Sequence, residues 1–139
     1  MNAKVKEAMT ALETLYKLQL IPKGEYITLK SNLKGEEGEA IGERVLGVYN
    51  TFKTMPKTYE TEKVKDKVAH LHYFKNGHDF YIYEKDMEEE EQIQAFGFVT
   101  SNLCPEGEMG YINIQEVTQA GAEVDLYWTP KPLSECKKG

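Results

Sequence analysis

Four carboxylates stand near the ends of strand-like runs in this chain: Glu84, Asp86, Glu108 and Asp125. Brought together on one edge of a sheet, such acids bind a hard cation or divide general acid and general base work between them. Kept apart, they cap turns, accept hydrogen bonds from backbone amides or face water. His70 and His72 are separated by one residue, which on a strand puts two imidazoles on one side, a spacing that metal sites use. His78 falls in a turn and is poorly placed as a third ligand. Cys104 has no identifiable histidine partner to activate it as a nucleophile. Tyr81, Tyr83, Tyr111, Tyr127 and Trp128 offer an aromatic surface to a ligand or partner, or else pack the sheet. No pattern singles out a catalytic residue, a metal centre or a cofactor. The candidate ligand- or partner-binding residues are therefore His70, His72, Tyr81, Tyr83, Glu84, Asp86, Glu108, Tyr111, Asp125 and Tyr127.

The charge balance narrows the partners. A formal net charge of -6 argues against a protein that grips duplex nucleic acid by neutralising phosphates. The acid is uneven, with the run Glu88 to Glu91 in the second half, while Lys63, Lys65 and Lys67 precede the first strand. Such a run of carboxylates repels itself and reads as a solvated loop, with mimicry of a nucleic-acid backbone as the sharper alternative. A chain of 139 residues suits one packed core. No apolar run approaches the length of a membrane span and the start lacks a signal-peptide core, so the expected location is the cytoplasm. Cys104 and Cys136 are too few and too irregularly spaced for a disulfide framework or a zinc site, and are expected to be reduced thiols.

The elements that must position these residues form two groups, and the fold class they predict is α+β. In the first group, Val5, Ala8, Met9, Leu12, Leu15 and Tyr16 recur at helical spacing, and Pro22 ends that helix near Leu20. A second helix after Gly24 carries Tyr26, Leu29 and Leu33, with Gly35 as its stop, and a third is predicted over 39–52. Met55-Pro56 and the polar stretch 57–67 then lead into a mainly antiparallel sheet of about five strands with one short helix. This gives a division into a helical extension, 1–54, and a sheet domain, 55–139.

The clearest local signal in the sheet half is Asn76-Gly77, the favoured pair for a two-residue type I′ hairpin turn. It sets the strands 68–74 and 79–84 in register, with Leu71 opposite Ile82, Tyr73 opposite Phe80, His72 opposite Tyr81 and His70 opposite Tyr83. Further strands are predicted at 95–100 and 108–112. Asn113-Ile114-Gln115-Glu116 has the form of a capping box for a short helix that stops at Gly121. The alternation of Val124, Leu126 and Trp128 predicts a last strand over 123–128 that ends at Thr129-Pro130, and Pro132 with the terminal Lys137-Lys138-Gly139 predicts an irregular tail that frays.

Two resemblances follow from quoted runs. Ala11 to Gly35, ALETLYKLQLIPKGEYITLKSNLKG, resembles the short helical hairpin known as SHOCT, which implies a small interaction or oligomerisation module. Met55 to Glu135 is similar to a domain-of-unknown-function family of short accessory proteins of plasmids, conjugative elements and phages. The similarity is carried by Met55-Pro56-Lys57-Thr58-Tyr59-Glu60-Thr61-Glu62, Tyr81-Ile82-Tyr83-Glu84-Lys85-Asp86, Phe96-Gly97-Phe98-Val99, Glu108-Met109-Gly110-Tyr111, Asp125-Leu126-Tyr127 and Pro130-Lys131-Pro132-Leu133-Ser134-Glu135. Phe80 stands where that family usually has Trp, Val124 where an Arg commonly precedes the aspartate, and the acidic insert 87–94 is longer.

The resemblance implies a small cytoplasmic accessory protein of a mobile element and supplies no reaction; the expected role is non-enzymatic binding of a host protein or small molecule through the aromatic-acidic sheet face, as an anti-defence inhibitor or a sequestering protein does. No cofactor, membrane or duplex nucleic acid is expected as a partner. A homo-oligomer through the N-terminal helices is a further expectation. The alternative is a small divalent-metal-dependent enzyme acting on nucleotides or modified nucleic acid through Glu84, Asp86, Glu108 or Asp125.

Overall fold

The computed structural model describes residues 2–88 and 90–136. Three helices come first, α1 (Ala3–Lys17), α2 (Lys23–Leu33) and α3 (Gly38–Thr54). They are followed by β1 (Val68–Ala69), β2 (Leu71–Lys75), β3 (His78–Glu84), β4 (Ala95–Ser101), β5 (Glu108–Ile112), α4 (Ile114–Gln119), β6 (Glu123–Val124), β7 (Lys131–Pro132) and α5 (Leu133–Cys136). β2 to β6 make one five-stranded, wholly antiparallel sheet in the order β5-β4-β3-β2-β6, and β1 pairs with β7 in a separate two-stranded ribbon. The α+β class and the antiparallel sheet are as the sequence predicts.

Helix α1 ends before the proline can act on it. Gln19 takes a left-handed conformation (φ 60°), its amide reaching Tyr16 O and that of Leu20 reaching Leu15 O, so a Schellman cap closes the helix at Lys17 and buries Leu15 and Leu20 together. Pro22 caps α2 instead, whose first residue is Lys23. The same cap recurs at α4, with Gly121 at φ 101°. The hairpin turn is as read from Asn-Gly: Asn76 and Gly77 both have positive φ, and Leu71↔Ile82, His72↔Tyr81 and Tyr73↔Phe80 are paired.

A single apolar cluster joins the two halves of the chain. Val5, Leu12, Leu15 and Leu20 from the hairpin, and Val45 and Phe52 from α3, pack with Leu71, Tyr73, Ile82, Ile112 and Val124 on one face of the sheet. A smaller cluster of Ala69, Tyr83, Phe98 and Leu133, edged by Tyr81, Phe96 and Trp128, fills the other face.

Several expectations are corrected. The strand 68–74 is split, because Val68–Ala69 turn away to pair with the C-terminal segment. Tyr83 is an extra residue in β3, since Ile82 pairs with Gly97 and Glu84 with Phe96; His70 therefore donates its amide to Ile82 O, and the expected pairing of His70 with Tyr83 is not formed. Such a bulge breaks the alternation of faces, which leaves Ile82, Tyr83 and Glu84 all buried in succession. The last strand stops at Val124, because the Asp125 carboxylate accepts the Tyr127 amide at 3.0 Å and turns the chain. The tail does not fray as far as Cys136: Lys131–Pro132 pair with β1, Leu133 is buried, and the Asp66 carboxylate holds the Ser134 amide (3.2 Å) and hydroxyl (2.7 Å). Residues 137–139 and Glu89 lie outside the described residues.

Candidate functional site

The four acids do not meet. Glu84 lies 3% exposed at the end of β3, where it receives the Tyr59 amide at 2.9 Å, the Thr61 amide at 2.8 Å and the Thr61 hydroxyl. Asp86 is also buried and organises the acidic insert, accepting the amides of Glu88 (2.9 Å), Ile93 (3.1 Å) and Gln94 (2.9 Å). Both carboxylates thus satisfy loop amides that have no ladder partner. Glu108 is exposed on β5 opposite Val99. Asp125 belongs to a third grouping, around His72.

That grouping ties β2, β3 and the turn after β6. Nε2 of His72 lies 2.7 Å from Asp79 Oδ1 and Nδ1 lies 3.1 Å from Asp125 Oδ2. The imidazole stacks on Tyr81 (centroids 4.9 Å apart, 13° between planes) and packs against Trp128, whose indole N–H donates to Ala69 O at 2.9 Å. Burial first, then the charge of Asp79, pushes the Tyr81 hydroxyl up to about 12. Through its contacts with Asp79 and Asp125 the imidazole cross-links β2, β3 and the turn after β6. His70, in the break between β1 and β2, lines a crevice of about 120 Å³ with Arg44 and Val48 of α3 and with Asp125 and Trp128; burial lowers its pKa. Among the described residues no three His, Cys, Asp or Glu side chains are grouped to hold a metal ion.

The tyrosines divide by exposure. Tyr83 is sealed beneath the C-terminal segment, its hydroxyl raised by burial first and then by Cys136 and Asp66, and without a hydrogen-bond partner among the described residues. Tyr127 is exposed, with the Arg44 guanidinium 4.5 Å over its ring. Tyr111 is 57% exposed and projects from β5, the strand at the open end of the sheet.

Around Tyr111 the sequence reading missed a partner. Tyr59 comes from the polar connection 57–67, and its hydroxyl sits 2.7 Å from that of Tyr111. Tyr111 in turn meets Phe96 edge-on at 5.8 Å. Tyr59 has φ 77°, a conformation uncommon for any residue but glycine, and it is held there because Glu84 binds the amides of Tyr59 and Thr61 on either side of Glu60. The buried acid therefore aims the exposed ring. The three rings, with Thr58, Glu62 and Lys67, line a cleft of about 330 Å³ above Glu84. Hydrogen bonding to Tyr59 first, then burial and the negative charge of Glu62 and Glu84, raise the Tyr111 hydroxyl. Met109, also exposed, continues the stripe on the same side of β5, opposite Phe98. Nothing in the periodicity marks Tyr59, because its position follows from a carboxylate 25 residues away.

Glu84 and Tyr111, from the expected set, thus meet in one cleft. His72, Tyr81 and Asp125 share a second cluster. His70 lines a crevice with Asp125 and Trp128 at the margin of that cluster, and Tyr83, Asp86, Glu108 and Tyr127 stand apart from both. No protein-family model matches the chain, and no curated protein or solved structure is significantly similar to it.

Proposed function

We propose that this is a non-enzymatic, cytoplasmic binding protein that takes an extended segment of a partner protein along the open edge of β5, with the cleft of Tyr59, Phe96 and Tyr111 receiving one of its side chains. The observation that carries the reading is the edge itself. Among the described residues β5 has a strand on one side only, Met109 and Tyr111 are exposed along it, and Tyr111 bonds a strained, carboxylate-held Tyr59. An unprotected edge with apolar side chains is costly to leave open and is a template for strand addition. The separation of Glu84, Asp86, Glu108 and Asp125 into different hydrogen-bond sets favours binding over metal-dependent hydrolysis.

A protein of this kind acts by stoichiometric occupation, as an inhibitor of a host defence protein or a sequestering protein does. The accessory role in a mobile element rests on the resemblance of residues 55–135. Self-association through the N-terminal helices has less to draw on, since Ile27 is the one exposed large apolar side chain among the described residues up to 54.

The test is capture from bacterial lysate with the wild type, Met109→Lys and Tyr111→Ala in parallel, followed by reconstitution of any complex from purified parts. The expected result is a stoichiometric partner lost by both variants and retained by Glu108→Gln. Partners held equally by all four proteins, or nucleotide turnover abolished by Glu108→Gln, would reject the reading.

A further inference from the structure

The sheet face that carries the helices is not wholly covered by them. α4 is six residues long, and between it and the β2–β3 hairpin a cleft of about 440 Å³ remains open. Its floor is the cross-strand pair Phe80 and Val99 with Ile112, and Val117 of α4 forms the wall. These apolar groups are part of the main core's margin, so a ligand laid on them extends a surface already packed. The volume lies within the range of small-molecule sites.

The charges of the cleft are ordered. Its cation, Lys75, and the imidazole of His78 are direct partners across the hairpin and stand together at one end. Its one acid, Glu116, is on α4, the other wall. The Lys75 ammonium is held at the cleft by donating to Ala120 O, the carbonyl that follows α4. That bond leaves it further N–H donors, whereas Asn113 spends its side-chain oxygen on capping α4. An apolar floor with positive charge gathered at one end is complementary to a molecule with an apolar body and a single anionic head.

We propose that this cleft binds a small amphipathic carboxylate, its head between Lys75 and His78 and its chain over Phe80, Val99 and Val117. The site is separate from the Tyr59–Tyr111 cleft proposed to receive a protein partner, although the strand β5 borders both.

Octanoate, octan-1-ol and octylammonium are suitable probes, titrated into the isotope-labelled full chain while backbone amide shifts are followed. Octanoate is expected to bind saturably, shifting the amides of Lys75, His78, Val99 and Val117, and to bind more tightly than either neutral or cationic analogue. Lys75→Met should weaken octanoate about tenfold, the effect of one lost charge-assisted contact, and leave octan-1-ol unchanged, while Lys75→Arg retains the preference. Equal binding of the three probes, shifts confined to Tyr59 and β5, or no saturation by millimolar octanoate would overturn the proposal. Val117→Trp, which fills the cleft, should abolish binding. If that variant does not fold, the Lys75→Met and Lys75→Arg comparison still decides. Capture of a protein partner is expected to survive Lys75→Met, so the two sites fail or stand independently.

Discussion

Glu25 shows what one buried acid does when its surroundings supply little compensation. It sits in the first turn of α2, 7% exposed, and accepts the Val124 amide at 2.9 Å. Burial raises its pKa from 4.5 to about 8, against the pull of that hydrogen bond and with the charges of Glu123 and Asp125 adding to it. Below pH 4.5 both folded and unfolded chains hold the proton, so the group contributes no pH dependence there. Between about 4.5 and 8 the folded chain holds a proton that the unfolded chain has released, and stability falls as pH rises, by up to about 1.4 kcal/mol per unit. Above about 8 the loss is complete. Glu25→Gln is therefore expected to gain stability over the wild type from pH 5 to 8, read from urea midpoints at each pH; parallel profiles for the two proteins would reject the assignment. Glu84 and Asp86 contrast with it in their partners, each accepting hydrogen bonds from several backbone amides.

At the scale of an element, β4 depends on having no side chain at Gly97. A Cβ there would collide with the backbone oxygen of Tyr81 and press on Ile112 at 2.9 Å. The clash is with a strand partner just before the Tyr83 bulge, where neither backbone moves without breaking the ladder. Gly97→Ala should thus cost at least about 1–3 kcal/mol. Gly110→Ala, on the neighbouring strand with open space over its α-carbon, should stay within about 0.5 kcal/mol of wild type. Chemical denaturation of the pair checks this, and equal costs would mean that β3 and β4 are not so closely apposed.

The whole molecule is a sheet enclosed from two sides. Helices α1–α3 lie on one face and the returning C-terminal segment on the other, where Leu133 completes a cluster with Ala69, Tyr83 and Phe98. The segment is fastened by β7, by Asp66 on Ser134 and by the Trp128 N–H on Ala69 O. Leu133→Ala should accordingly destabilise the protein by about 2–3 kcal/mol, the cost of emptying a seated leucine site. Ile27→Ala, 54% exposed on α2, is the control and should change stability little. A Leu133→Ala midpoint no different from that of Ile27→Ala would show the tail to be unseated in solution.

Local rules account for much of this. Helical spacing located α1 and α3, Asn76-Gly77 set the turn and the register of β2 on β3, and Asn113 with Glu116 marked α4. Each of these depends on residues within one turn or one hairpin, where spacing and backbone preference act directly. What the linear order left open was decided by contacts between distant segments. Glu84 binds amides 23 and 25 residues earlier, Asp125 reaches His72 across 53, and the tail closes on β1. A carboxylate near a strand end can serve a metal, a substrate or a backbone amide with the same atoms, and only the fold determines which of these comes within hydrogen-bonding distance.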